Sequence, residues 1–467
     1  MTQLPAGWVE AALGQIADTS LGKMLDRARS SGDHLRPYLR NVNVQWGRID
    51  SSDVLTMDIP PEQEEHFRLR NGDLLICEGG EIGRCAVWSG GDAYMAFQKA
   101  LHRVRPLGGI DSRYLRYLLE HLSLRGLLAR WATGSTIKHL PQEQLRQLPV
   151  PLPPLAEQRR IVANLDEYLS RHIAAGVLIA ESRKRISRLR RRVLQKVVEQ
   201  ESARAAVESA SIASLATSVR NGVFVSRPSS EPCGVPILRI GSVRPLSLDI
   251  SDVRYSGRGP DDLRARGSLL HEGDLLFTRY NGNPEYVGAC AFVPQGVGDL
   301  TYPDKLIRVV LDRGKALPEY VAMACSVGGG REQIRGMVKT TAGQAGISGR
   351  DLKSVTLDLP PIEEQQRRVE LFGRFDAEIS RLDALLTEVE HRARLLRSSL
   401  LAEAFAGRLV PQDPDDEPAS ELLARIRAER AAAAPKQKAR ASRTRKELAA
   451  PPTRVTGNNY QQEALPL

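Results

Sequence analysis

The stretch LPPLAEQRRIV at 152–162 returns as LPPIEEQQRRV at 359–369, an offset of 207 residues. At that offset Pro153 matches Pro360, Pro154 matches Pro361, Glu157 matches Glu364, Gln158 matches Gln365 and Arg160 matches Arg367. Working upstream, LHRV at 101–104 corresponds to LIRV at 306–309, NGDLL at 71–75 to EGDLL at 272–276, and RPYLR at 36–40 to VPILR at 235–239. The offset changes only between matched strings, as insertions in surface loops would make it. An ordered series of matches marks an internal duplication: one plan written twice.

Each copy has two parts. The first is a module of about 150 residues with short apolar runs bounded by Gly, Asn and Pro, which predict strands. In the first copy these are RPYLRNVNV, DLLICEG, RCAVW and ALHRVRP, followed by a helix over 112–130. Asp111 is its predicted N-cap, and Tyr114, Leu115, Leu118, Leu119 and Leu122 form its apolar face. The second copy repeats the order through VPILRIGSV, DLLFTRY, VGACAFV and KLIRVVL, with a helix opening at Pro318.

The second part of each copy is a long helix. Phe372, Phe375, Ile379, Leu382, Leu386, Val389, Ala393, Leu396 and Leu400 recur in steps of three and four, the spacing of a coiled-coil seam. Subtracting 207 gives Leu165, Tyr168, His172, Ala175, Ile179, Ser182, Ile186, Leu189 and Val193. The shared register predicts that the helices pair, with His172 as a polar register residue. The chain returns through a whole module between them, so an antiparallel coiled coil with an internal pseudo two-fold repeat is expected. Helices of about 40 residues span on the order of 60 Å at about 1.5 Å per residue.

The expected fold class is α+β/α/β. Its divisions are a first module at 1–150, a central helical spacer at 151–208, a second module at 209–357, a distal helical spacer at 358–410 and a tail at 411–467. The tail opens on Asp413-Pro-Asp-Asp-Glu417 and carries Leu422, Leu423 and Ile426 on one face of a short amphipathic run. That run could dock on a partner; the Lys/Arg/Ala/Pro-rich stretch after it reads as partly disordered.

Lys+Arg 66 against Asp+Glu 56 leaves a net charge of +10, which favours a polyanionic partner. Cys77, Cys85, Cys233, Cys290 and Cys325 form no C-x-x-C pair, so they read as small buried residues without a metal site or disulfide framework. No signal-peptide pattern and no apolar stretch of about 20 residues occurs, so a cytoplasmic chain with no membrane contact is expected.

The opening LPAGW, the twin LPP-(L/I)-x-EQ strings and AFAGRLVPQDPDDEPASELLARIRAER at 404–430 resemble the specificity subunits of type I restriction–modification systems. The resemblance spans nearly the whole chain. It implies that each module is a target-recognition domain reading one half of a split, asymmetric double-stranded DNA site. It also implies that the helices act as spacer and dock two modification (methyltransferase) subunits, with a restriction subunit added in the full complex.

The residues give no sign of chemistry on this chain. Asn283-Pro284-Glu285-Tyr286 lacks the second proline of an amino-methyltransferase motif and has no glycine-loop companion, so it reads as a loop turn. GGEIG at 79–83 reads as a hairpin turn. Pro303-Asp304 with Asp351-x-Lys353 matches a nuclease template only loosely, and Asp351 reads as a helix start. No cofactor is expected on this chain; S-adenosylmethionine, Mg and ATP belong, by the resemblance, to partner subunits.

DNA contact must then come from loops carrying donors. In the first module these hold Asn43, Gln45 and Trp46, then Arg84, then Gln98 and Lys99, and last Ser135, Thr136 and Lys138. In the second they hold Arg239 and Arg244, then Arg279, Tyr280, Asn281 and Asn283, then Asp304 and Lys305, and last Lys339, Thr340 and Gln344. Some of these would meet phosphates alone. The repeated Pro153, Glu157, Gln158, Arg160 and Pro360, Glu364, Gln365, Arg367 have two readings: helix-start residues, or a partner interface used twice. Two other function classes remain: a single chain that both reads and cuts or methylates DNA, and a coiled-coil scaffold whose modules bind protein.

Overall fold

The computed structural model describes residues 4–25, 32–134, 138–199, 207–341 and 344–433. The chain divides into two units, Met1–Asp166 with Ser398–Leu467, and Glu167–Arg397. The first unit therefore gathers the first module, the start of the first long helix, the end of the second and the tail. This division departs from the five consecutive segments expected from sequence.

In the first unit a four-stranded antiparallel sheet has the order Ala17–Leu21, Leu101–Pro106, Leu74–Cys77, Cys85–Val87. A separate pair joins Val9–Ala12 to Pro149–Leu152. In the second unit the corresponding sheet has the order Ala216–Asn221, Leu306–Leu311, Leu275–Thr278, Cys290–Phe292, and the pair joins Glu208–Ser211 to Thr356–Leu359. These sheets are antiparallel, which makes each module α+β; the short Tyr38–Leu39 pairs in parallel with Ala96–Phe97.

The repeated strings have local causes. In NGDLL and EGDLL the aspartate closes the turn before the strand: Asp73 accepts the Arg70 N–H at 2.7 Å and Asp274 the His271 N–H at 2.6 Å. Gly72 and Gly273 precede them at φ +88° and +78°, a conformation that costs a residue with a Cβ. Arg40 and Arg239 open matching short turns. Their N–H groups donate to Asn43 Oδ1 and Ser242 Oγ, and their guanidinium groups pair with Asp53 and Asp252.

The module helix of the first unit runs Ser112–Leu124, N-capped by Asp111, and stops where Gly126 turns to φ +67°; Leu127–Arg130 continue as a 3-10 turn. Tyr114, Leu115, Leu118 and Leu119 are buried and Leu122 is half-buried. In the second unit the helix splits in two, Pro318–Ser326 and Gly328–Gly336. Each long helix is tied to its module by a buried glutamine. Gln158 donates to the Pro153 carbonyl at 2.9 Å and accepts the Asp111 N–H at 3.4 Å. Gln365 donates to the Pro360 carbonyl at 2.8 Å and accepts the Leu317 N–H at 2.9 Å. The phenols of Tyr114 and Tyr320 donate to the carbonyls of Pro151 and Asp358 from the same side.

These placements correct the partner-interface reading for the buried members of the repeated strings. Pro153, Glu157, Gln158, Pro360 and Gln365 are buried, so they bind the chain to itself. Glu157 accepts the Trp8 indole N–H at 2.9 Å, and Arg160 pairs with Asp416 of the tail at 2.7 Å. In the second unit Glu364 holds Arg368 at 3.0 Å, while Arg367 stays exposed beside Glu364.

The long helices run Leu155–Glu199 and Ile362–Phe405. Within the second unit they lie antiparallel. Arg183 reaches Asp383 at 3.7 Å and Glu390 at 3.0 Å, Arg190 reaches Asp376 at 2.5 Å, and Arg368 donates to the Val198 carbonyl. Leu194, Val197, Met323, Val327 and Phe372 form the apolar cluster at one end of the pair.

The expected seam is corrected in one of its two rows. Leu165, Ile179, Phe372 and Ile379 are buried, and Ile186, Val193, Leu386 and Leu400 are half-buried. Tyr168, Leu189, Phe375, Leu382, Val389 and Leu396 are exposed. The inward row following the first is one residue later, at Leu169, Arg183, Arg190 and Val197 on one helix and at Asp376 and Glu390 on the other. Charged residues occupy it because they pair across the helices, which hydrophobic periodicity does not register. The side chain of His172 lies outside the described residues.

The tail is corrected too. Its helix, Ala419–Ala433, buries Leu422, Leu423 and Ile426 within the first unit, where the Ile426 side chain approaches Gly108. Ala419 donates its N–H to the Gly7 carbonyl, and Arg430 pairs with Asp18. Residues 434–467 lie outside the described residues. Cys77, Cys85, Cys290 and Cys325 are buried as expected, whereas Cys233 is exposed.

Two stability outcomes follow from these contacts. Gln365→Ala leaves the buried Pro360 carbonyl and the partly buried Leu317 N–H without the glutamine and lowers stability by about 1–3 kcal/mol in chemical denaturation. Burial raises the pKa of Glu157 despite its bond to Trp8. Its carboxyl therefore binds a proton more readily folded than unfolded, and it costs stability as pH rises from the ordinary glutamate value through the raised one. Glu157→Gln keeps an acceptor for Trp8 and removes that loss, so the variant gains stability relative to the wild type in thermal melts above that window.

Candidate nucleic-acid interface

The second module shows how its loops converge. The strands Lys339–Thr341 and Gln344–Gly346 form a hairpin, and Tyr280–Asn281 adds to it as a third strand. Residues about sixty apart in sequence thereby share one small sheet: Tyr280 and Asn281 from one segment, Lys339, Thr340 and Gln344 from another. Lys339, Thr340 and Gln344 are exposed. Gly346 is required here, since a Cβ on it would lie 2.4 Å from the Tyr280 ring.

Tyr280 organises the cations around it. The Arg279 guanidinium lies 4.7 Å and the Lys305 ammonium 5.2 Å from its ring centroid. Arg279 also reaches the Asp304 carbonyl, and its N–H is held by the Lys305 carbonyl at 2.8 Å. A groove beside them is lined by Tyr280, Lys339, Gly346, Ile347, Ser348, Arg350 and Asp351. Arg279 is fixed by the ring and a backbone carbonyl, which leaves its charge available to an anion, whereas Lys305 also pairs with the Asp304 carboxylate at 4.0 Å.

Other expected readers are occupied within the second module. Arg239 is paired with Asp252, and Arg244 lies on the Tyr286 ring at 4.4 Å. Asn281 accepts the Asn283 N–H, and Asn283 accepts the Glu285 N–H to start the 3-10 turn Pro284–Tyr286. This is the turn expected of the Asn-Pro-Glu-Tyr string. Asp351 accepts from Ser348 N and Oγ as the third residue of a capped helix, and those bonds lower its pKa.

The first module has the same frame with different side chains. His139 bridges Gly79 and Thr133, and Leu140 N–H donates to the Glu78 carbonyl as Ile347 N–H does to Arg279. Lys99 and Lys138 are exposed and Gln98 is half-buried; Ser135 and Thr136 lie outside the described residues. Asn43 is corrected: it is buried, and its amide is spent on Arg40 N and the Asp50 and Asp53 carbonyls. Gln45 donates to the Val42 carbonyl. Arg84 donates to the Asn41 carbonyl, and Trp46 donates to Glu81, so each is held by the other's loop.

Among the described residues no group of His, Cys, Asp and Glu could hold a metal ion, and no helix is long and apolar enough to cross a membrane.

A curated relative, the type I restriction enzyme EcoKI specificity subunit of Escherichia coli (strain K12), is 31% identical over 94% of this chain and 98% of its own length. The chain belongs to the type I restriction enzyme specificity subunits. The StySPI specificity subunit of Salmonella potsdam is 25% identical over the same shares, 94% and 98%. Residues 5–176 match the family described as "Type I restriction modification DNA specificity domain". A solved chain described under "Structural basis underlying complex assembly and conformational transition of the type I R-M system" has a similar fold, with TM-score 0.65 at 19% identity over 88% of this chain and 100% of that one.

For this specificity subunit, sequence reading left several members of these loops out. His139, Glu81 and Arg350 went unnamed, although the offset of 207 places His139 opposite Gly346 and so marks the hairpin position. The half-buried Lys305 and the exposed Lys339 yield a direct outcome. Lys305→Ala and Lys339→Ala each reduce the salt dependence of DNA binding by about one counterion's worth, read as the slope of log K against log salt concentration.

Proposed function

We propose that this specificity subunit reads a bipartite, asymmetric site in double-stranded DNA, one half-site per module, and does no chemistry itself. One observation carries this: the modules share sheet order, turn clamps and glutamine ties, and differ in the side chains on the loop sheet. A constant frame with unlike loops suits two readers of unlike sequences.

The antiparallel helices serve as spacer in this reading, forming a coiled coil about an internal pseudo two-fold. They also dock two methyltransferase subunits. Support for docking comes from the apolar row that the helix pair leaves open. Phe375, Leu382, Leu385, Val389 and Leu396 on one helix, and Tyr168, Leu178 and Leu189 at the matching offset on the other, are exposed. Aligned apolar side chains of this kind mark a partner surface. S-adenosylmethionine, Mg and ATP are bound by partner subunits, and a restriction subunit completes the assembly; the site of action is the cytoplasm, with the genome.

The test compares methylation of the host genome with the intact gene, without it, and with residues 209–357 exchanged for another module. The expected result is loss of one bipartite motif on deletion and change of one half of it on exchange. An unchanged methylome after deletion overturns the reading.

A further inference from the structure

Two exposed apolar side chains stand at the same place in the two modules and pack no core. In the first, the strand Ala17–Leu21 leads into Gly22, Lys23 and Met24. In the second, the strand Ala216–Asn221 leads into Gly222, Val223 and Phe224. The match is structural as well as sequential. Leu21 lies opposite His102 and Asn221 opposite Ile307, the second residue of the neighbouring strand in each unit. The Lys23 carbonyl accepts the Lys99 N–H and the Val223 carbonyl accepts the Asp304 N–H, both at 3.0 Å.

The glycines explain the exposure. A Cβ on Gly22 would lie 2.3 Å from the Phe97 carbonyl oxygen, and one on Gly222 would lie 2.2 Å from that of Tyr302. Glycine lets the chain press against this neighbouring backbone, and the residue two positions on is left in solvent. Met24 is 62% exposed and Phe224 71%.

Single exposed apolar residues are ordinary on a protein surface. These two differ in their recurrence and in their surroundings. Val223 is bonded to Asp304, whose neighbour Lys305 stands over Tyr280 at the loop sheet. Lys23 is bonded to Lys99, which is exposed beside it. The core of a protein–protein interface is depleted of such charges. In a DNA interface the combination is functional: cations take phosphates, while an apolar side chain meets base faces or a thymine methyl.

We infer that Met24 and Phe224 are apolar base contacts, one in each module, held beside phosphate-binding lysines. The inference rests on the DNA-reading assignment above and adds to it residues that donors and acceptors alone would not reveal.

The test uses the full-length subunit assembled with its methyltransferase partners and a duplex carrying the motif read from the host methylome. Phe224→Ala and Met24→Ala weaken binding to that duplex about tenfold and leave the salt slope unchanged, because an apolar side chain displaces no counterion. Each variant relaxes discrimination at its own half-site only, and Phe224→Leu recovers part of the loss. Lys305→Ala, by contrast, lowers the slope. Wild-type affinity in both alanine variants, with the lysine effect intact, overturns this inference and leaves the DNA-reading assignment standing. No effect from either kind of variant removes both. A lowered melting temperature with equal loss of binding to random duplex assigns the two residues a structural role and overturns the inference.

Discussion

The fold turns on an amide. Where each long helix begins, a buried glutamine bridges a proline carbonyl behind it and the N–H at the head of the module helix. The carbonyl is buried and the N–H partly so, and a buried polar group without a partner is costly. Gln158 and Gln365 therefore fix where each module sits on the first turn of its helix. A charged residue could not serve, because neither carbonyl nor N–H offers a countercharge, and an apolar one would satisfy neither group. Such demands explain why the strings around the glutamines survive in both copies while the loops do not.

Much of this was legible in the sequence because it rests on short-range rules. The aspartate of NGD and EGD, the N-cap at Asp111 and the capped start at Asp351 act within three residues of themselves. The strand order and the convergence of the loops could be anticipated only in outline, since partners such as Tyr280 and Gly346 are 66 positions apart. Donor residues were over-counted for a related reason. Asn43, Arg84 and Arg239 are suitable base readers by type, yet their loops need them first.

The helix pair shows how periodicity can mislead. Two apolar rows run along the second long helix, and counting cannot tell which is covered by its neighbour and which is left for another chain. Phe372 and Ile379 belong to the covered row, Phe375 and Leu382 to the open one. The inward row beside the first is filled by Arg183, Arg190, Asp376 and Glu390, whose ion pairs set direction and register more than they add stability.

The tail gives the chain an order of completion. Arg160 waits for Asp416, 256 residues later, and Asp18 for Arg430, 412 residues later. The second unit, by contrast, is contained within 167–397. During synthesis at about 5–20 residues per second the second unit has all its sequence before the first can close. The first module emerges early and is sealed last, so a prematurely terminated chain keeps its first unit open. The surface that Leu422, Leu423 and Ile426 cover stays exposed on such a product, which makes it a target for proteolysis.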